Sequence, residues 1–232
     1  MSLISNFTKI FRDEYGFDTI AIRREALQYL NPGEPPTDIL VLDVGTGSGW
    51  MAILAAEQGQ RVISIDINPE CLLRAKHRAE QALMGSVIRP LFVCADALRI
   101  PFPDNFFDAA ISFDAVHHLF DCPCPAGIKE MIQVCKTHRD IIVAGLNKNG
   151  AAAVRTVHDR AGLKHEENRC DVEKLEMMLH DIGLHSTRRD TSFVTIFHAH
   201  QQCTMMKNSG QPRLNEPNLF GRIFYCRFGY LT

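Results

Sequence analysis

Short apolar runs separated by longer helical patterns fill the middle of the chain. Residues 39–42, 61–66 and 107–113 are apolar enough for strands that are buried on both faces. Between them, apolar residues recur at helical spacing, and a glycine or a proline marks several helix ends. Strands that alternate with helices predict an α/β fold with a doubly wound, mostly parallel sheet.

Weaker patterns complete this arrangement. Two helical stretches are predicted between residues 4 and 30, where they would cover the sheet. Further strands are predicted at 88–94, 140–145, 191–197 and 222–228, and further helices around 128–135 and at 172–181. The last third of the chain gives the least regular pattern, because its polar and apolar residues alternate less clearly.

The amino-acid composition indicates the cellular compartment and the classes of partner to expect. The 232 residues include 46% hydrophobic and 22% charged residues, which is typical of a globular protein. A formal net charge of -2 provides no global positive field and so disfavours nucleic-acid partners. Eight scattered cysteines indicate reduced thiols, and no apolar run is long enough to span a membrane. We therefore expect a cytoplasmic protein without a membrane partner.

Three glycines follow the first predicted strand and precede the next helix: Gly45, Gly47 and Gly49. Glycines in this context let the backbone turn tightly and let a ligand approach the free N–H groups of a helix N-terminus. The dinucleotide-binding fingerprint has its third glycine one position later, where this chain has Trp50. The loop by itself predicts a nucleotide-like ligand, or no more than a strand-to-helix turn.

Acidic residues at successive strand ends indicate more closely which kind of ligand the loop would bind. Asp43, beside the glycine loop, would repel a pyrophosphate but suits an ammonium group, and S-adenosylmethionine carries an ammonium and a sulfonium without phosphate. Asp66 ends the second strand, where a carboxylate can accept the ribose hydroxyls, or else cap the next helix. Asp96, beyond the third strand, can reach the adenine amine while Ala97 offers its N–H to the ring, or it is an ordinary loop residue.

These motifs together resemble the class I S-adenosylmethionine-dependent methyltransferases, in particular the small-molecule enzymes similar to ubiquinone and menaquinone methyltransferases. The segments that carry the resemblance are 41–49, 65–69, 95–97 and 100–108. The resemblance implies a Rossmann-like, seven-stranded sheet whose last strand is antiparallel, with residues 222–228 as that strand or its partner.

The resemblance also implies roles for individual positions. Residues that would bind the methionine end of the methyl donor are Asp43, Gly45, Thr46, Gly47 and Gly49, and carbonyls near Ser112 and Phe113 would face its ammonium. Asp66 would bind the ribose, and the adenine would contact Ile67, Asp96 and Ala97. Two departures concern the acceptor side. Residues 135–140 replace the Lys-Pro-Gly-Gly-type turn usual before the fifth strand, and the region after Gly145 matches no known substrate-binding segment.

His117 and His118 follow the fourth strand, beside the expected methyl position. Histidine titrates near neutral pH, which suits a general base for an acceptor that loses a proton. Similar histidines occur in the family without a catalytic role, so both interpretations stay open.

A metal site is conceivable from four other residues: Cys122, Cys124, Cys135 and His138. Their Cys-x-Cys and Cys-x-x-His spacings lack the paired Cys-x-x-Cys form of zinc sites. We expect ordinary thiols and no metal.

The sequence therefore predicts a methyltransferase that uses S-adenosylmethionine as its cofactor and a small molecule as its acceptor. A single domain would cover 1–232, with cover helices over 1–38, the cofactor-binding core over 39–145, and the second half of the sheet with the substrate region over 146–232. The alternatives are a non-catalytic partner subunit that binds the same cofactor, and a methyltransferase acting on protein or RNA. An NAD-dependent oxidoreductase is disfavoured by the loop spacing.

Overall fold

The computed structural model describes residues 3–30, 39–115, 125–162 and 172–201. In chain order the elements are α1 (Leu3–Tyr15), α2 (Thr19–Leu27), β1 (Leu40–Val44), α3 (Trp50–Glu57), β2 (Arg61–Asp66), α4 (Pro69–Ala82), β3 (Leu91–Cys94), β4 (Phe107–Phe113), α5 (Ala126–Val134), β5 (Cys135–Leu146), α6 (Lys148–Arg160), α7 (Val172–Asp181), β6 (Leu184–Asp190) and β7 (Val194–Gln201). Within these residues, every helix is too short or too polar to cross a membrane.

The strands form one seven-stranded sheet in the order β3-β2-β1-β4-β5-β7-β6. Strands β1 to β5 pair in parallel, and β7 lies antiparallel between β5 and β6. This confirms the predicted fold class, including the antiparallel direction of the last strand. That strand is Val194–Gln201, and the segment 222–228, which the resemblance placed there, lies outside the described residues.

The sheet reverses its winding direction between β1 and β4. The chain moves outward from β1 through β2 to β3, and then crosses back to place β4 on the other side of β1. Connections on the two sides of this point leave the sheet in opposite directions, so a crevice opens at the carboxyl ends of β1 and β4. The fold therefore places the glycine loop after β1 next to the residues that follow β4.

Apolar side chains cover both faces of the sheet. One face packs against α1, α2, α3 and α6, which contribute Phe11, Leu27, Met51 and Ala153 to the buried cluster. The opposite face packs against α5 and α7. The predicted cover helices are thus confirmed as α1 and α2, and α2 lies close enough to the crevice to contribute to its wall.

Strand β6 and helix α6 were not predicted from the sequence. Strand β6 lies at the sheet edge, so most of its side chains are exposed, and Leu184–Asp190 lacks the apolar run of an interior strand. Helix α6 is capped by Asn147, whose side chain accepts hydrogen bonds from the backbone N–H groups of Asn149 and Gly150. Both elements depend on tertiary pairing more than on a local apolar pattern.

Candidate functional site

A cavity of about 650 Å³ opens at the carboxyl ends of β1, β2, β3 and β4. This volume is typical of small-molecule sites, which span roughly 300–1,000 Å³. The cavity is lined by Arg23, residues 45–48, Trp50, Met51, residues 65–68, Cys71, residues 95–98 and residues 113–115. The crevice expected at the reversal of the sheet is therefore the place where most of the predicted binding residues meet.

The glycines of the loop have different structural roles. A Cβ atom at Gly45 would lie 2.3 Å from the Cβ of Ala115, so this glycine lets the segment after β4 close on the loop. A Cβ at Gly49 would lie 2.6 Å from the Cβ of Ala75, so Gly49 lets α4 pack against the start of α3 and does not line the cavity. At Gly47, whose φ is +48°, the nearest atom to a Cβ would be 3.9 Å away. Gly47 is thus the glycine that leaves open space beside the cavity.

Asp43 lies buried beneath this loop at the end of β1. The Ser64 hydroxyl donates to its Oδ2 at 2.6 Å, and the Thr46 hydroxyl is 2.6 Å from the Ser64 oxygen. Its Oδ1 is buried without a hydrogen-bond partner among the described residues. Burial raises the pKa of Asp43 to about 7, although Ser64 and Arg23 act to lower it. A buried carboxylate oxygen in this state can accept a hydrogen bond from a cationic ligand group or from a bridging water.

Asp66 connects the end of β2 to the glycine loop. Its Oδ2 accepts the Gly47 N–H and its Oδ1 accepts the Asn68 N–H, both at 2.9 Å. The side chain that caps α4 is that of Asn68, which accepts the Glu70 N–H at 2.9 Å. A carboxylate oxygen has more than one acceptor site, so Asp66 retains capacity for two ligand hydroxyls.

Uncovered apolar side chains lie beyond Asp66 in the same cavity. Ile67 is 70% exposed and Leu98 is 48% exposed, although both are large and apolar. Asp96 lies beside them in the cavity wall, and its Oδ1 accepts the Leu98 N–H at 2.8 Å, which is compatible with both of the roles that the sequence left open. Ala97, next in the chain, is buried and also lines the cavity. Apolar surfaces next to a carboxylate edge suit a flat heterocycle with an amine.

Arg23 of α2 closes the opposite end of the cavity and was not predicted as a site residue. Its guanidinium lies 4.6 Å from the centre of the Phe113 ring. Burial lowers the pKa of Arg23, while the charges of Asp114 and Asp43 raise it. Because arginine stays protonated in proteins, these two carboxylates face a fixed cation. No local pattern in α2 marks this arginine, since its partners are brought to it by the fold.

Asp114 is the second unpredicted residue of the site. It follows β4 directly, has a φ of 55°, and donates its backbone N–H to the Ala144 carbonyl at 2.8 Å. Burial raises the pKa of Asp114 to about 6, against the lowering effect of Arg23. The sequence did contain a signal for it, because Asp114 is an acidic residue at a strand end, as Asp43 and Asp66 are.

Several predicted positions lie elsewhere. Phe113 lines the cavity, but Ser112 is buried outside its wall and donates its hydroxyl to the Val44 carbonyl at 2.9 Å. His117 and His118 lie outside the described residues, so their catalytic role stays a prediction.

The four residues considered for zinc do not form a described cluster. Cys135 is buried in the core at the start of β5, where burial raises the pKa of its thiol to about 12. His138, three positions later, is exposed. Cys122 and Cys124 lie outside the described residues. Cys135 therefore behaves as a protonated, apolar side chain.

S-adenosylmethionine carries an ammonium, a carboxylate and two ribose hydroxyls, and each of these groups needs a partner in the site. The orphaned Asp43 oxygen and the Asp114 carboxyl group in the cavity wall fit an ammonium, Arg23 fits a carboxylate, and Asp66 fits a pair of hydroxyls. The open space at Gly47 fits close approach of a ligand to backbone. A pyrophosphate would instead meet three carboxylates. The residues present thus fit this cofactor.

Several known proteins that are similar to this chain are methyltransferases. Residues 41–138 match the methyltransferase domain family. An uncharacterized methyltransferase of Mycobacterium leprae is 33% identical over 120 residues, covering 51% of this chain and 41% of that protein. The 2-methyl-6-phytyl-1,4-hydroquinone methyltransferase of Synechocystis is 34% identical over 114 residues, covering 49% of this chain and 34% of that protein. The chain thus spans about two fifths or less of the length of these relatives.

Among solved structures, the magnesium protoporphyrin IX methyltransferase of Synechocystis with bound S-adenosylhomocysteine superimposes with a TM-score of 0.60 at 18% identity, covering 87% of this chain and 89% of that one. Fold and cavity define a doubly wound α/β protein with a small-molecule site at the reversal of its sheet. Over residues 41–138 the chain is similar to the methyltransferase domain family, the kind of protein that its motifs resemble.

Proposed function

We propose that this chain transfers a methyl group from S-adenosylmethionine to a small-molecule acceptor. The observation that carries the proposal is that carboxylates at the ends of β2, β3 and β4 line one cavity beneath which Asp43 lies buried. Such a set of anionic groups favours a ligand with a cationic end and a hydroxylated, amine-bearing end.

Each part of the cofactor has a matching group in the cavity. Asp66 binds the ribose hydroxyls, and Asp96 with Ala97 binds the adenine edge against Ile67. Arg23 pairs with the carboxylate of the methionine end, and Asp43 and Asp114 face its ammonium. The bound cofactor supplies an electrophilic methyl carbon attached to a sulfonium.

The protein's remaining task is to align the acceptor and to remove its proton when it carries one. Asp114 pairs with the cofactor ammonium in this arrangement and therefore does not serve as that base. His117 and His118 follow it closely in the chain and remain candidates for the same step. We assign the acceptor to the class of phenols and hydroquinones, because the Synechocystis relative is named for a hydroquinone.

The cofactor assignment is tested by calorimetric titration with S-adenosylhomocysteine and, separately, with NADH. We expect saturable binding of S-adenosylhomocysteine with one site per chain, and no binding of NADH. Tight binding of NADH without binding of S-adenosylhomocysteine would contradict the proposal.

The acceptor class is tested with labelled S-adenosylmethionine and parallel pools of hydroquinones, phenols, protein and RNA. Transfer of label to a hydroquinone or phenol is the expected result. Label in protein or RNA would replace the small-molecule assignment with a macromolecular one. Cofactor binding without transfer to any pool would instead favour a non-catalytic partner subunit.

A further inference from the structure

A second cluster of polar side chains lies away from the cavity, on β5 and β7. Asp140 Oδ1 is 2.7 Å from Nε2 of His198 and 3.4 Å from Nδ1 of His200. One potential ligand atom from each of the three residues lies within 4.8 Å of the others. Two imidazoles and one carboxylate at these distances are a recognised donor set for divalent transition metals.

Antiparallel pairing brings the cluster together. Asp140 lies directly opposite His200, and His198 lies opposite Ile142, two residues along β5. Side chains two residues apart on a strand point to the same face, so both histidines project beside the carboxylate. His185 of β6 lies opposite His200 and therefore adds a third imidazole to this face. The sequence shows only the His198-x-His200 part of the cluster, because Asp140 is about 60 residues away and meets the two histidines only through the fold.

The separations are close to those that a metal requires. Two ligands at 2.0–2.1 Å from a tetrahedral ion are about 3.3 Å apart. The separation of His200 and Asp140, 3.4 Å, already has this value. The separation of His198 and Asp140, 2.7 Å, is that of a hydrogen bond and needs to open by about 0.6 Å for a metal to replace the shared proton.

Burial across the cluster provides both a rigid base and an entry path. The Asp140 side chain is 7% exposed and that of His198 is 15% exposed, while that of His200 is 50% exposed. The His198 ring also lies 5.3 Å from the Tyr29 ring, which limits its movement. An ion can therefore arrive at His200 from solvent and meet two positioned ligands below it.

We propose that Asp140, His198 and His200 form a binding site for a divalent transition-metal ion, with Zn²⁺ as the first candidate. Asp140 is four residues before Ala144, which pairs with Phe113 of the cavity wall, so the two sites are separated by about 13 Å along β5. The metal site is distinct from the cofactor cavity and does not depend on the function proposed for it. Three protein ligands leave one position for water and link β7 to β5.

The test uses the full chain, freed of metal by a chelator and dialysed at neutral pH. Zn²⁺ is titrated calorimetrically, and Co²⁺ is titrated by its visible absorption, which reports coordination geometry. We expect one saturable site per chain, a tetrahedral or five-coordinate Co²⁺ spectrum, and displacement of Co²⁺ by Zn²⁺. A wild-type chain that shows no saturable binding of either ion overturns the proposal without any variant.

Variants identify the ligands. His198→Gln and His200→Gln should each weaken Zn²⁺ binding at least about tenfold, while His180→Gln, which changes an exposed histidine on α7, should leave it unchanged. Circular dichroism confirms that each variant is folded. Unchanged Zn²⁺ affinity in a folded His198→Gln/His200→Gln chain assigns the ion to other residues and contradicts the site, and so does equal weakening in His180→Gln. Binding of S-adenosylhomocysteine, measured in parallel, should be the same in all these variants.

Discussion

Asp43 and Asp108 are both nearly inaccessible to solvent, at 1% and 6% exposure. They lie on neighbouring strands, Asp43 near the end of β1 and Asp108 near the start of β4, and they differ in their hydrogen-bond partners. Burial alone would raise the pKa of Asp108, yet the pKa is lowered, because Lys136 at 2.6 Å, the Leu40 N–H at 2.9 Å and the more distant Arg139 outweigh burial. At Asp43 burial dominates, and its pKa rises to about 7. The comparison distinguishes a carboxylate whose protein partners are complete from one that has a buried oxygen without a described hydrogen-bond partner.

The difference in hydrogen-bond partners between Asp43 and Asp108 bears on the cofactor site that we propose. Asp108 holds the start of β4 to the start of β1 and to Lys136, so its hydrogen bonds stabilise the fold itself. Asp43 has one oxygen committed to Ser64 and one oxygen without a described partner. Retaining a buried, partly satisfied carboxylate costs stability, and such sites are concentrated where function requires them.

Gly47→Val should have the largest effect and abolish binding of S-adenosylhomocysteine. The valine side chain would occupy open space that the ligand needs beside the loop. Gly85→Val is a matched control, because Gly85 has a φ of +85°, has open surroundings, and is absent from the cavity wall. Both variants should lose about 1–2 kcal/mol of unfolding free energy from backbone strain, but only Gly47→Val should lose calorimetric binding. Preserved affinity in folded Gly47→Val would contradict the ligand-contact role of the loop.

Substitution of each carboxylate by its amide tests the comparison directly. Asp43→Asn should weaken S-adenosylhomocysteine binding about 100-fold, because a charged, buried hydrogen bond is lost. Asp108→Asn should leave affinity unchanged but lower the unfolding free energy at neutral pH by about 2 kcal/mol. Calorimetry and urea unfolding measure the two effects. Similar profiles for the two variants would show that the two buried carboxylates do not differ in role.

Acidification should weaken cofactor binding. The pKa values of Asp43 and Asp114 are about 7 and about 6 in the free protein, so both carboxyl groups bind protons as the pH falls through this range. A ligand ammonium requires them to be ionised, so S-adenosylhomocysteine affinity should fall by up to about tenfold per pH unit for each proton released on binding. Asp43→Asn should have a shallower dependence. Affinity that is flat from pH 8 to 5 would contradict the coupling.

The pH dependence of the unfolding free energy should have opposite signs for Asp43 and Asp108. A carboxyl whose pKa is raised on folding binds its proton more tightly in the folded state, so its contribution to stability is lost as pH rises from about 4 to 7. Asp108, with a lowered pKa, contributes stability that is lost only as pH falls below about 4. Urea unfolding across this range should therefore show Asp43→Asn removing part of the decline toward pH 7 and Asp108→Asn removing part of the acid loss.

Asp66→Ala should have the smallest effect, a five- to tenfold loss of cofactor affinity, which is about 1–1.4 kcal/mol. Asn68 remains as the cap of α4, so the melting temperature should change little. Asn68→Ala provides the contrast, since removing a helix cap costs about 1 kcal/mol of stability. If Asp66→Ala lowered the melting temperature as much as Asn68→Ala and left affinity intact, Asp66 would have a structural role only.

The parallel part of the fold was predictable because its signals are local. The runs that became β1, β2 and β4 are mostly apolar, and the glycine loop and Asp66 lie at the ends of the first two. Strand β6 gave no such signal, because an edge strand with exposed side chains needs no apolar pattern. Strand β5 begins at Cys135, five residues before its predicted start, because its first residues pair with the beginning of β4 while exposing Lys136 and His138.

The site was predictable to the same extent and for the same reason. Residues next to strand ends could be assigned, whereas Arg23 is far from the cavity in sequence and reaches it only through the packing of α2. The cluster on β5 and β7 is a similar case, since the pairing of Asp140 with His200 depends on the register of two strands that are distant in the chain. Contacts of this kind have no counterpart in local periodicity.

The position of Arg23 determines the shortest segment of this protein that would contain the complete cavity. The family match covers residues 41–138, but Arg23 in the cavity wall comes from α2. On the other side of β4 the sheet continues through β5 to β7 and β6, which lie largely beyond the match. A segment excised at the limits of the match would keep the glycine loop and Asp66, yet lose Arg23 and the part of the apolar cover that α1, α2 and α6 supply. Grafting this methyl-donor site into another protein would therefore require transfer of α2 through β7.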